Sequence, residues 1–448
     1  MDQSISRYIG TCMVLVGLIL SGCDTSVEPE PMMDTALDTE LIDIITIGGQ
    51  RGLSNFILPD SDDLDAIPQD PLNPLTPAKV ELGKLLFHET ALASNPLHEE
   101  ARGTYSCATC HHSGAGFQAG RRQAMGDGGV GWGRNGEGRT KSATYTNEEV
   151  DVQGIKTPSI LNGPYQEVTG WIGKFGIRGP NRGTEARWIA GTPAGVNMLG
   201  YEGLESRAIA ALSIHRMDSI EQTLVMTHPE YTALWDQAFP GELVSLENVG
   251  LALAAYERTL LTNKAPFQQW LRGDLAAMST AEKRGAVVFF GKAICEVCHT
   301  GPSLNQMDFY ALGMPDLEGA DVIGPVDEES SLGRGVFLGD ASENFKFKVP
   351  QLYNLVDSRF FGHGGTFRTL REVVEYYNDA MPEIPIPDDL VPSRFRPLNL
   401  TDQEMDDLVV FLSQSLYDPD LGRYDVSSLP SGNCTPVNDP QGRADLGC

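Results

Sequence analysis

Basic residues are scarce in this chain, which has 33 lysines and arginines against 61 aspartates and glutamates in 448 residues and a formal net charge of −28. A surface of this sign repels phosphate groups, so the composition excludes nucleic acid as a partner. Long apolar runs are lacking as well. The apolar stretch at residues 12–20 is much shorter than the roughly 20 residues that a helix needs to cross a bilayer, so it is not a membrane span.

Histidine and cysteine are also rare, with eight of each, yet six of these residues form two Cys-x-x-Cys-His pentapeptides. In this motif the two thiols add to the vinyl groups of one haem, and the adjacent histidine is placed to bind its iron. The alternative, a zinc site, would need ligands from the other six histidines, which are scattered singly. The sequence therefore predicts two covalently bound haem c groups and redox chemistry. The predicted residues are Cys107, Cys110, His111, Cys295, Cys298 and His299.

The N-terminus predicts export. Residues 1–22 contain Arg7, a short apolar stretch and the small residues Ser21 and Gly22 before Cys23, an arrangement that resembles a bacterial lipoprotein signal peptide. Cys23 would then carry the lipid that anchors a periplasmic protein to a membrane. The alternative is an ordinary cleaved signal peptide followed by an unmodified cysteine, because small residues also precede secretory cleavage sites.

Two further cysteines, Cys434 and Cys448, lie in a C-terminal tail, residues 427–448, that is rich in proline, glycine and asparagine. Cys12 would be lost with the signal peptide, so this pair is the one left to form a disulfide, a bond that suits an oxidising compartment. Closing so short a loop would stabilise the fold by about 3 kcal/mol on the chain-entropy model.

Four helices are predicted around the two haem motifs. A proline after Thr76 and a capping box that begins at Ser279 each start an apolar-periodic run that leads into a motif. Apolar stripes at residues 246–260 and 405–416 follow the motifs and close the two halves. Residues 23–74 are acidic and rich in proline and aspartate with little helical period, which predicts a tether.

The two halves share a spaced pattern. Its members are Lys156, Pro158, Asn162 and Trp171 in the first half and Lys348, Pro350, Asn354 and His363 in the second. A helix, a haem motif, loops and a closing helix form the plan of a small c-type cytochrome, and this chain contains the plan twice. We therefore predict a mainly α fold of two tandem cytochrome c-like haem domains, residues 75–272 and 273–426, with long irregular loops.

The two motifs, with the phrases at residues 75–83 and 400–404, resemble the bacterial dihaem cytochrome c peroxidase family, which includes the MauG-like enzymes. The resemblance covers nearly the whole mature body. It implies that the first haem reacts with peroxide, that the second is a six-coordinate electron-transfer haem, and that His111 and His299 are the proximal iron ligands. An iron with an open face can bind peroxide, whereas an iron ligated on both faces passes electrons.

The resemblance also implies a sixth ligand for the second haem. Residues 370–378 are similar to a MauG-type stretch in which the tyrosine before an asparagine ligates the iron, where ordinary family members carry methionine. This points to Tyr377, a ligand that favours storage of oxidising equivalents over simple electron delivery. The alternative is that Tyr377 packs against the haem and Met381 or Met314 ligates its iron.

The first haem lacks the distal histidine that ordinary family members often carry, because no histidine occurs between His112 and His215. Its iron is therefore expected to stay open without reductive activation. Peroxide cleavage needs a base and a polar group that stabilises the departing charge. Alignment with the family's helix puts Arg207 in place of the usual glutamine and His215 near the usual glutamate. His215 is thus a catalytic candidate, with a buried structural histidine as the alternative.

Other features of the resemblance concern the region between the haems. Trp171 matches a family tryptophan that lies between the two haems, where an indole can relay electrons, and a core aromatic role is compatible with this. His363 matches a histidine beneath the second haem that orients nearby groups. The family also carries an inter-haem calcium ion, for which Ser358 and Phe360 would offer a hydroxyl or backbone carbonyls.

The sequence thus predicts a periplasmic, membrane-tethered oxidoreductase that reduces hydrogen peroxide at the first haem. Electrons would be relayed through the second haem from an external donor, either a small cytochrome or a copper protein. One alternative is a MauG-like enzyme that oxidises Trp or Tyr residues of a partner protein, and another is a non-catalytic dihaem electron-transfer cytochrome. The acidic surface is compatible with docking of a basic carrier or a basic protein substrate.

Overall fold

The computed structural model describes residues 35–48, 52–219, 227–324 and 326–448. The predicted signal peptide, residues 1–22, and Cys23 lie outside these ranges. Helices dominate the described residues, as predicted, and the strands form two short antiparallel pairs. Within the same ranges, no helix has both the length and the apolar character that crossing a membrane requires.

In chain order, the α-helices of the described residues are α1 Thr35–Asp43, α2 Pro77–His88, α3 Cys107–Cys110, α4 Gly203–Ile214, α5 Pro229–Ala238, α6 Leu246–Glu257, α7 Pro266–Leu271, α8 Thr280–Phe290, α9 Glu328–Leu332, α10 Arg334–Leu338, α11 Leu370–Asp379, α12 Asp402–Val410 and α13 Pro440–Leu446. Strand β1 Gly129–Val130 pairs with β2 Thr140–Lys141, and β3 Phe309–Ala311 pairs with β4 Lys346–Lys348. Two π-helical segments, Ile44–Gly48 and Phe411–Ser415, continue α1 and α12, and short 3-10 turns occur in the loops.

The four helices predicted around the motifs, α2, α6, α8 and α12, are confirmed. α2 begins after Thr76, whose hydroxyl accepts a hydrogen bond from the Lys79 amide at 3.2 Å. α8 begins with the predicted capping box, in which the Ser279 amide donates to the Glu282 carboxylate at 2.8 Å. α12 begins with the same box at Thr401. Each cap satisfies amides that have no partner inside the helix, which fixes where the helix starts.

Each half is built on a helix crossing at a glycine. α2 crosses α6 in the first half, where a Cβ added to Gly83 would lie 1.9 Å from the Ala252 carbonyl oxygen. α8 crosses α12 in the second half, where a Cβ added to Gly285 would lie 1.9 Å from the Asp407 carbonyl oxygen. Backbones this close leave no room for a side chain, so the two halves share one packing plan.

Replacing Gly285 by alanine is therefore expected to lower the free energy of unfolding by about 3 kcal/mol, because α8 and α12 must separate to admit the methyl group. Denaturant unfolding followed by circular dichroism measures the loss. Gly52→Ala is the matched control, since its new Cβ would meet only the Ser54 hydroxyl, at 3.8 Å. Equal stability of the two variants would contradict the close crossing.

Two hydrophobic cores fill the two halves. Helices α2, α4, α5 and α6 supply most of the first core, and α1, α7, α8, α11 and α12 supply most of the second. The packing changes over between residues 255 and 261, where Ala255 and Leu261 pack in the second core and Tyr256 and Leu260 pack in the first. This point precedes the predicted boundary at residue 272, because α7 buries Phe267 and Trp270 against the second core.

Parts of residues 35–48 and 52–74 pack against the second core, where the composition predicted a tether. Helix α1 buries Leu41 in the second core, and Phe56 and Leu58 are buried there too. Asp38 is also buried, where it accepts a hydrogen bond from Trp270 Nε1 at 2.8 Å and pairs with Lys283 at 2.8 Å. The acidic composition misled the prediction because this carboxylate serves as an internal partner rather than as a solvated charge.

The C-terminal tail is tied to the first haem motif. The predicted disulfide between Cys434 and Cys448 is present. Ahead of the last helix, the Thr109 hydroxyl donates to the Pro436 carbonyl at 2.6 Å, and the Asn438 amide donates to the Thr104 carbonyl at 3.0 Å. The disulfide-closed tail therefore packs directly on the segment that carries the first pair of motif cysteines.

Candidate active site between two haem motifs

The first motif places one nitrogen of His111 for iron binding. The turn of α3 is closed by the Ser106 amide, which donates to the Thr109 hydroxyl at 2.9 Å. His111 follows α3, and its Nδ1 lies 3.0 Å from the Phe117 carbonyl oxygen. A carbonyl can only accept, so Nδ1 carries the proton and Nε2 has the free lone pair that iron needs. Burial lowers the pKa of His111 to about 3, which keeps the imidazole neutral.

The second motif repeats this arrangement. A 3-10 turn, Cys295–Val297, precedes His299, whose Nδ1 lies 3.0 Å from the Leu304 carbonyl oxygen. Burial lowers the pKa of His299 to about 4, so this imidazole is neutral as well. Both histidines are thus fixed by a backbone carbonyl in the tautomer that presents Nε2 to a metal.

The four motif cysteines fit covalent attachment of a cofactor. Cys107, Cys110, Cys295 and Cys298 are free thiols, while Cys434 and Cys448 take the disulfide. Removal from water raises the pKa of Cys110 and of Cys295 to about 12. In the described ranges no three residues of the types His, Cys, Asp and Glu cluster closely enough to hold a metal ion, so the zinc alternative finds no ligand set there.

A cavity of about 330 Å³ opens beside the second motif and extends into the first half. This volume lies within the range of cofactor sites, and most of the lining is apolar, which suits a porphyrin. Cys295, Cys298 and His299 line it from the second half. From the first half it is lined by residues of the loop after the first motif and of helices α4 and α6, including Gln118, Ile160, Leu204, Arg207 and Glu257.

The repeated pattern predicted from the sequence forms a cross-linked interface between the halves. The Lys156 amide donates to the His363 carbonyl at 2.8 Å, and the Lys348 amide donates to the Trp171 carbonyl at 2.7 Å. The first member of the pattern in each half thus bonds the last member of the pattern in the other half. This reciprocal arrangement relates the two repeats by an approximate two-fold axis. Asn162 and Asn354 adopt the same left-handed conformation, with φ of 56° and 55°.

Trp171 lies at this interface and lines the cavity. Its indole Nε1 donates to the Lys156 carbonyl at 2.7 Å, and its ring centroid is 6.4 Å from that of His363. His363 stacks on Phe347 with ring centroids 3.7 Å apart, and its Nε2 lies 3.1 Å from the Asp316 carboxylate. The imidazole is therefore engaged by the protein itself, in keeping with the orienting role expected for it.

Tyr377 lines the cavity together with the second motif. Burial raises the pKa of its phenol, and the thiols of Cys298 and Cys295 add to this shift. Met314, one of the alternative ligands, also lines the cavity, whereas Met381 is 71% exposed and does not line it. The structure thus brings Tyr377 and Met314, but not Met381, to the second motif.

His215 is held away from the cavity lining. It follows the last turn of α4, and its Nδ1 contacts the Asp151 carboxylate at 2.8 Å. Arg207, earlier on α4, does line the cavity, and so does Glu257 at the end of α6. The sequence motifs did not indicate Glu257, because it lies within the apolar stripe at residues 246–260, as the last residue of α6, and resembles an ordinary surface charge.

Glu257 has unusual electrostatics for a carboxylic acid. Burial raises its pKa to about 8, and the nearby Arg207 guanidinium offsets part of this rise. The charge of Arg258, the next residue, lowers the pKa of Glu257 as well, although the Arg258 guanidinium bonds Glu205 at 2.7 Å and Glu202 at 3.1 Å. An acid and a cation therefore share the wall of the cavity in the first half, a combination suited to moving protons and stabilising negative charge.

The residues suggested for calcium do not form a cation site by themselves. The Ser358 hydroxyl donates to the Phe360 carbonyl oxygen at 2.8 Å, so the two oxygens satisfy each other. Calcium sites in proteins use several oxygen ligands, usually with carboxylates among them. The two groups do not fit a calcium ion on their own, and no step is assigned to one.

Comparison with known proteins agrees with the geometry. A sequence model of the family described as di-haem cytochrome c peroxidase matches residues 77–276. The methylamine utilization protein MauG of Methylorubrum extorquens is 28% identical over 358 residues, which cover 79% of this chain and 83% of that protein. The cytochrome c551 peroxidase of Pseudomonas aeruginosa is 26% identical over 309 residues, covering 68% of this chain and 73% of that protein.

The fold has a solved counterpart. The crystal structure of a MauG-like protein associated with microbial copper homeostasis aligns with a TM-score of 0.55 and 22% sequence identity, covering 82% of this chain and 96% of that one. At this identity the likeness concerns the fold alone, and it supports the mainly helical architecture.

Proposed function

Because this chain belongs to the di-haem cytochrome c peroxidase family, which implies two c-type haems, we propose that it reduces hydrogen peroxide at the His111 haem. Electrons from an external donor would reach that site through the His299 haem. The observation that carries the proposal is the pair of haem motifs, each with its histidine fixed by a carbonyl, on either side of an interface lined by Trp171. Reduction of one peroxide to two waters breaks the O–O bond and consumes two electrons and two protons.

When bound, the haems supply the redox-active irons. The protein supplies the rest. His111 and His299 would hold the irons through Nε2, and the free thiols would anchor the two rings. Glu257 takes a proton from one peroxide oxygen and delivers it to the other, and Arg207 stabilises the negative charge on the departing oxygen. Trp171 offers an oxidisable indole between the two halves.

The test is a haem count followed by a peroxide assay on the same sample. Denatured protein is expected to give two equivalents of thioether-bound haem by the pyridine haemochrome method. The native protein is then expected to consume peroxide while it oxidises a reduced small cytochrome or copper protein. Peroxide that stays intact in the presence of two haems and a reduced donor would leave only the electron-transfer alternative.

Tyr377 favours a second candidate, a MauG-like oxidation of Trp or Tyr residues on a partner protein. A phenolate ligand favours storage of oxidising equivalents on the second haem. If Tyr377 ligates that iron, Tyr377→Met is expected to raise the reduction potential of the second haem and to abolish the response of the fully oxidised protein to stoichiometric peroxide. The Soret band reports the response. Met314→Leu is the matched control, and a loss of the second haem's low-spin spectrum in that variant would instead identify Met314 as the ligand.

We also propose that the protein acts in the periplasm and is anchored by a lipid on Cys23, on the strength of the signal-like residues 1–22. Cys23→Ala is expected to move nearly all of the protein from the membrane fraction to the soluble periplasmic fraction, because the variant has no thiol at residue 23 to carry the lipid. Cys12→Ala, inside the predicted signal peptide, is the control and is expected to leave the distribution unchanged. Immunoblots of the two fractions provide the measurement, and membrane retention of Cys23→Ala would contradict the anchor.

A further inference from the structure

The cavity beside the second motif reverses the charge balance of the protein. The whole chain carries a net charge of −28, yet the described residues that line this cavity include five basic side chains and one acidic side chain, Glu257. The basic residues are Lys156, Arg207, Lys348, Arg394 and Arg396. A concentration of positive charge on the inner wall of an acidic protein indicates an anionic ligand.

Two of these cations are buried without an anion. Lys156 and Lys348 have 4% and 6% of their surface exposed. The Lys156 ammonium donates to the Gln118 amide oxygen, and the Lys348 ammonium donates to the Gln166 amide oxygen at 2.8 Å. Over the part of the chain that the structure describes, neither ammonium forms an ion pair with a carboxylate.

Burying an ammonium group without an anionic partner costs free energy. A buried ammonium loses its hydration, and a neutral amide oxygen replaces only part of it. Burial lowers the pKa of each lysine to about 7, and for Lys348 the nearby Arg207 charge adds to the effect. An anion between these side chains would offset the free energy lost with the hydration, since charge-assisted hydrogen bonds to an ammonium are about twice as strong as neutral ones.

The two lysines are related by the same repeat as the two haem motifs. They occupy equivalent places in the two repeats, and their amides bond across the interface to the carbonyls of His363 and Trp171. Each lies two residues before a proline that lines the cavity, Pro158 or Pro350. A haem brings two propionate carboxylates, so two haems would bring four anionic groups to a wall that has one pair of buried ammonium groups related by the repeat.

We propose that Lys156 and Lys348 bind the propionate carboxylates of the two haems and so set their reduction potentials. The inference rests on the proposed function only in requiring two bound haems. Each ammonium donates to an amide oxygen, of Gln118 or Gln166, and to the backbone carbonyl of the residue that follows the lysine, at 3.5 Å, which leaves one ammonium hydrogen for a carboxylate. A positive charge beside a haem stabilises the reduced iron relative to the oxidised iron, so its removal lowers the reduction potential.

The test is spectroelectrochemical titration of the holoprotein. Lys156→Met and Lys348→Met are each expected to shift the reduction equilibrium of one haem toward the oxidised form by about tenfold, which is about 59 mV for a one-electron couple. Lys→Arg at the same positions keeps the charge and is expected to restore most of the potential. Lys264→Met is the control, because Lys264 is a half-exposed lysine that pairs with Asp420 at the surface.

Resonance Raman spectra of the Lys→Arg variants provide a second measurement, which is available even if a methionine variant fails to bind haem. Propionate bending bands report hydrogen bonds to the carboxylates, and they are expected to shift in the Lys→Arg variants but not in Lys264→Met. Unchanged potentials and unchanged propionate bands in dihaem variants would overturn the inference. A wild-type potential that follows the concentration of acetate or chloride at constant ionic strength would also overturn it, because a free anion would then occupy the lysines. The haem count tests the proposed function separately, so the two failures are distinguishable.

Discussion

Replacing His111 with glutamine is expected to lower peroxide consumption at least about 10³-fold while both haems stay attached through their cysteines. The reason is positional: His111 is the only residue of the first motif whose ring is fixed by a carbonyl, Phe117, with Nε2 directed away from that bond. Glutamine at this site offers the iron a far weaker ligand than imidazole. Initial rates of peroxide loss with a reduced donor, on samples matched for haem content, measure the effect.

His299→Gln is the matched variant, since the same carbonyl contact exists there to Leu304. It is expected to keep the first reaction with peroxide and to lose steady-state turnover, because electrons no longer pass to the first site. The two variants therefore separate the roles of the haems. Loss of the initial peroxide reaction in His299→Gln, together with its survival in His111→Gln, would reverse the assignment.

Replacing Glu257 with glutamine is expected to reduce the rate of the peroxide reaction by about 10²–10⁴-fold, the usual contribution of a positioned acid or base. Glutamine keeps the size of the side chain and removes its ability to exchange a proton. His215→Gln is the comparison, because the His215 ring is already engaged by the Asp151 carboxylate. We expect a change of less than a factor of about three for His215→Gln, and a reversal of the two effects would restore His215 as the base.

The pH dependence provides a second measurement on the same residue. Glu257 must be ionised to take the first proton, and its pKa is raised to about 8 by burial. The rate of the peroxide reaction is therefore expected to rise with pH and to level off above about pH 8, since the ionised fraction grows in that direction. In Glu257→Gln this inflection should disappear, while a profile that keeps it would assign the titration to another group.

The features that sequence could predict are those set by short-range chemistry. Two thiols and a histidine at fixed spacing specify haem attachment, and the caps at Thr76, Ser279 and Thr401 specify where three helices begin. The spacing of the sequence also revealed the repeat that contains Lys156 and Lys348. In the structure the backbone amides of these two lysines each form a hydrogen bond to the other half. Local patterns of this kind need no knowledge of the tertiary fold.

The features that sequence could not predict depend on which elements meet. Asp38 belongs to an acidic stretch whose composition predicts exposure to solvent. It is buried because it contacts Trp270 and Lys283, which lie more than 200 residues later in the chain. Glu257 and Arg207 are far apart in the chain and share a wall because α6 packs on α4. His215 was placed by alignment to a helix end, and its contact with Asp151, 64 residues earlier in the chain, depends on the packing of the loop that carries that carboxylate. Long-range packing decided each of these cases.

The tail that covers the first motif joins two segments that lie far apart in the sequence. The Pro436 carbonyl accepts hydrogen bonds from the Ser106 hydroxyl at 3.1 Å and from the Thr109 hydroxyl at 2.6 Å, and the Cys434–Cys448 disulfide closes the tail around it. Because the disulfide restricts the freedom of this cover, a reductant is expected to loosen the turn between Cys107 and Cys110 and to leave the second motif, which the tail does not contact through these bonds, as it was.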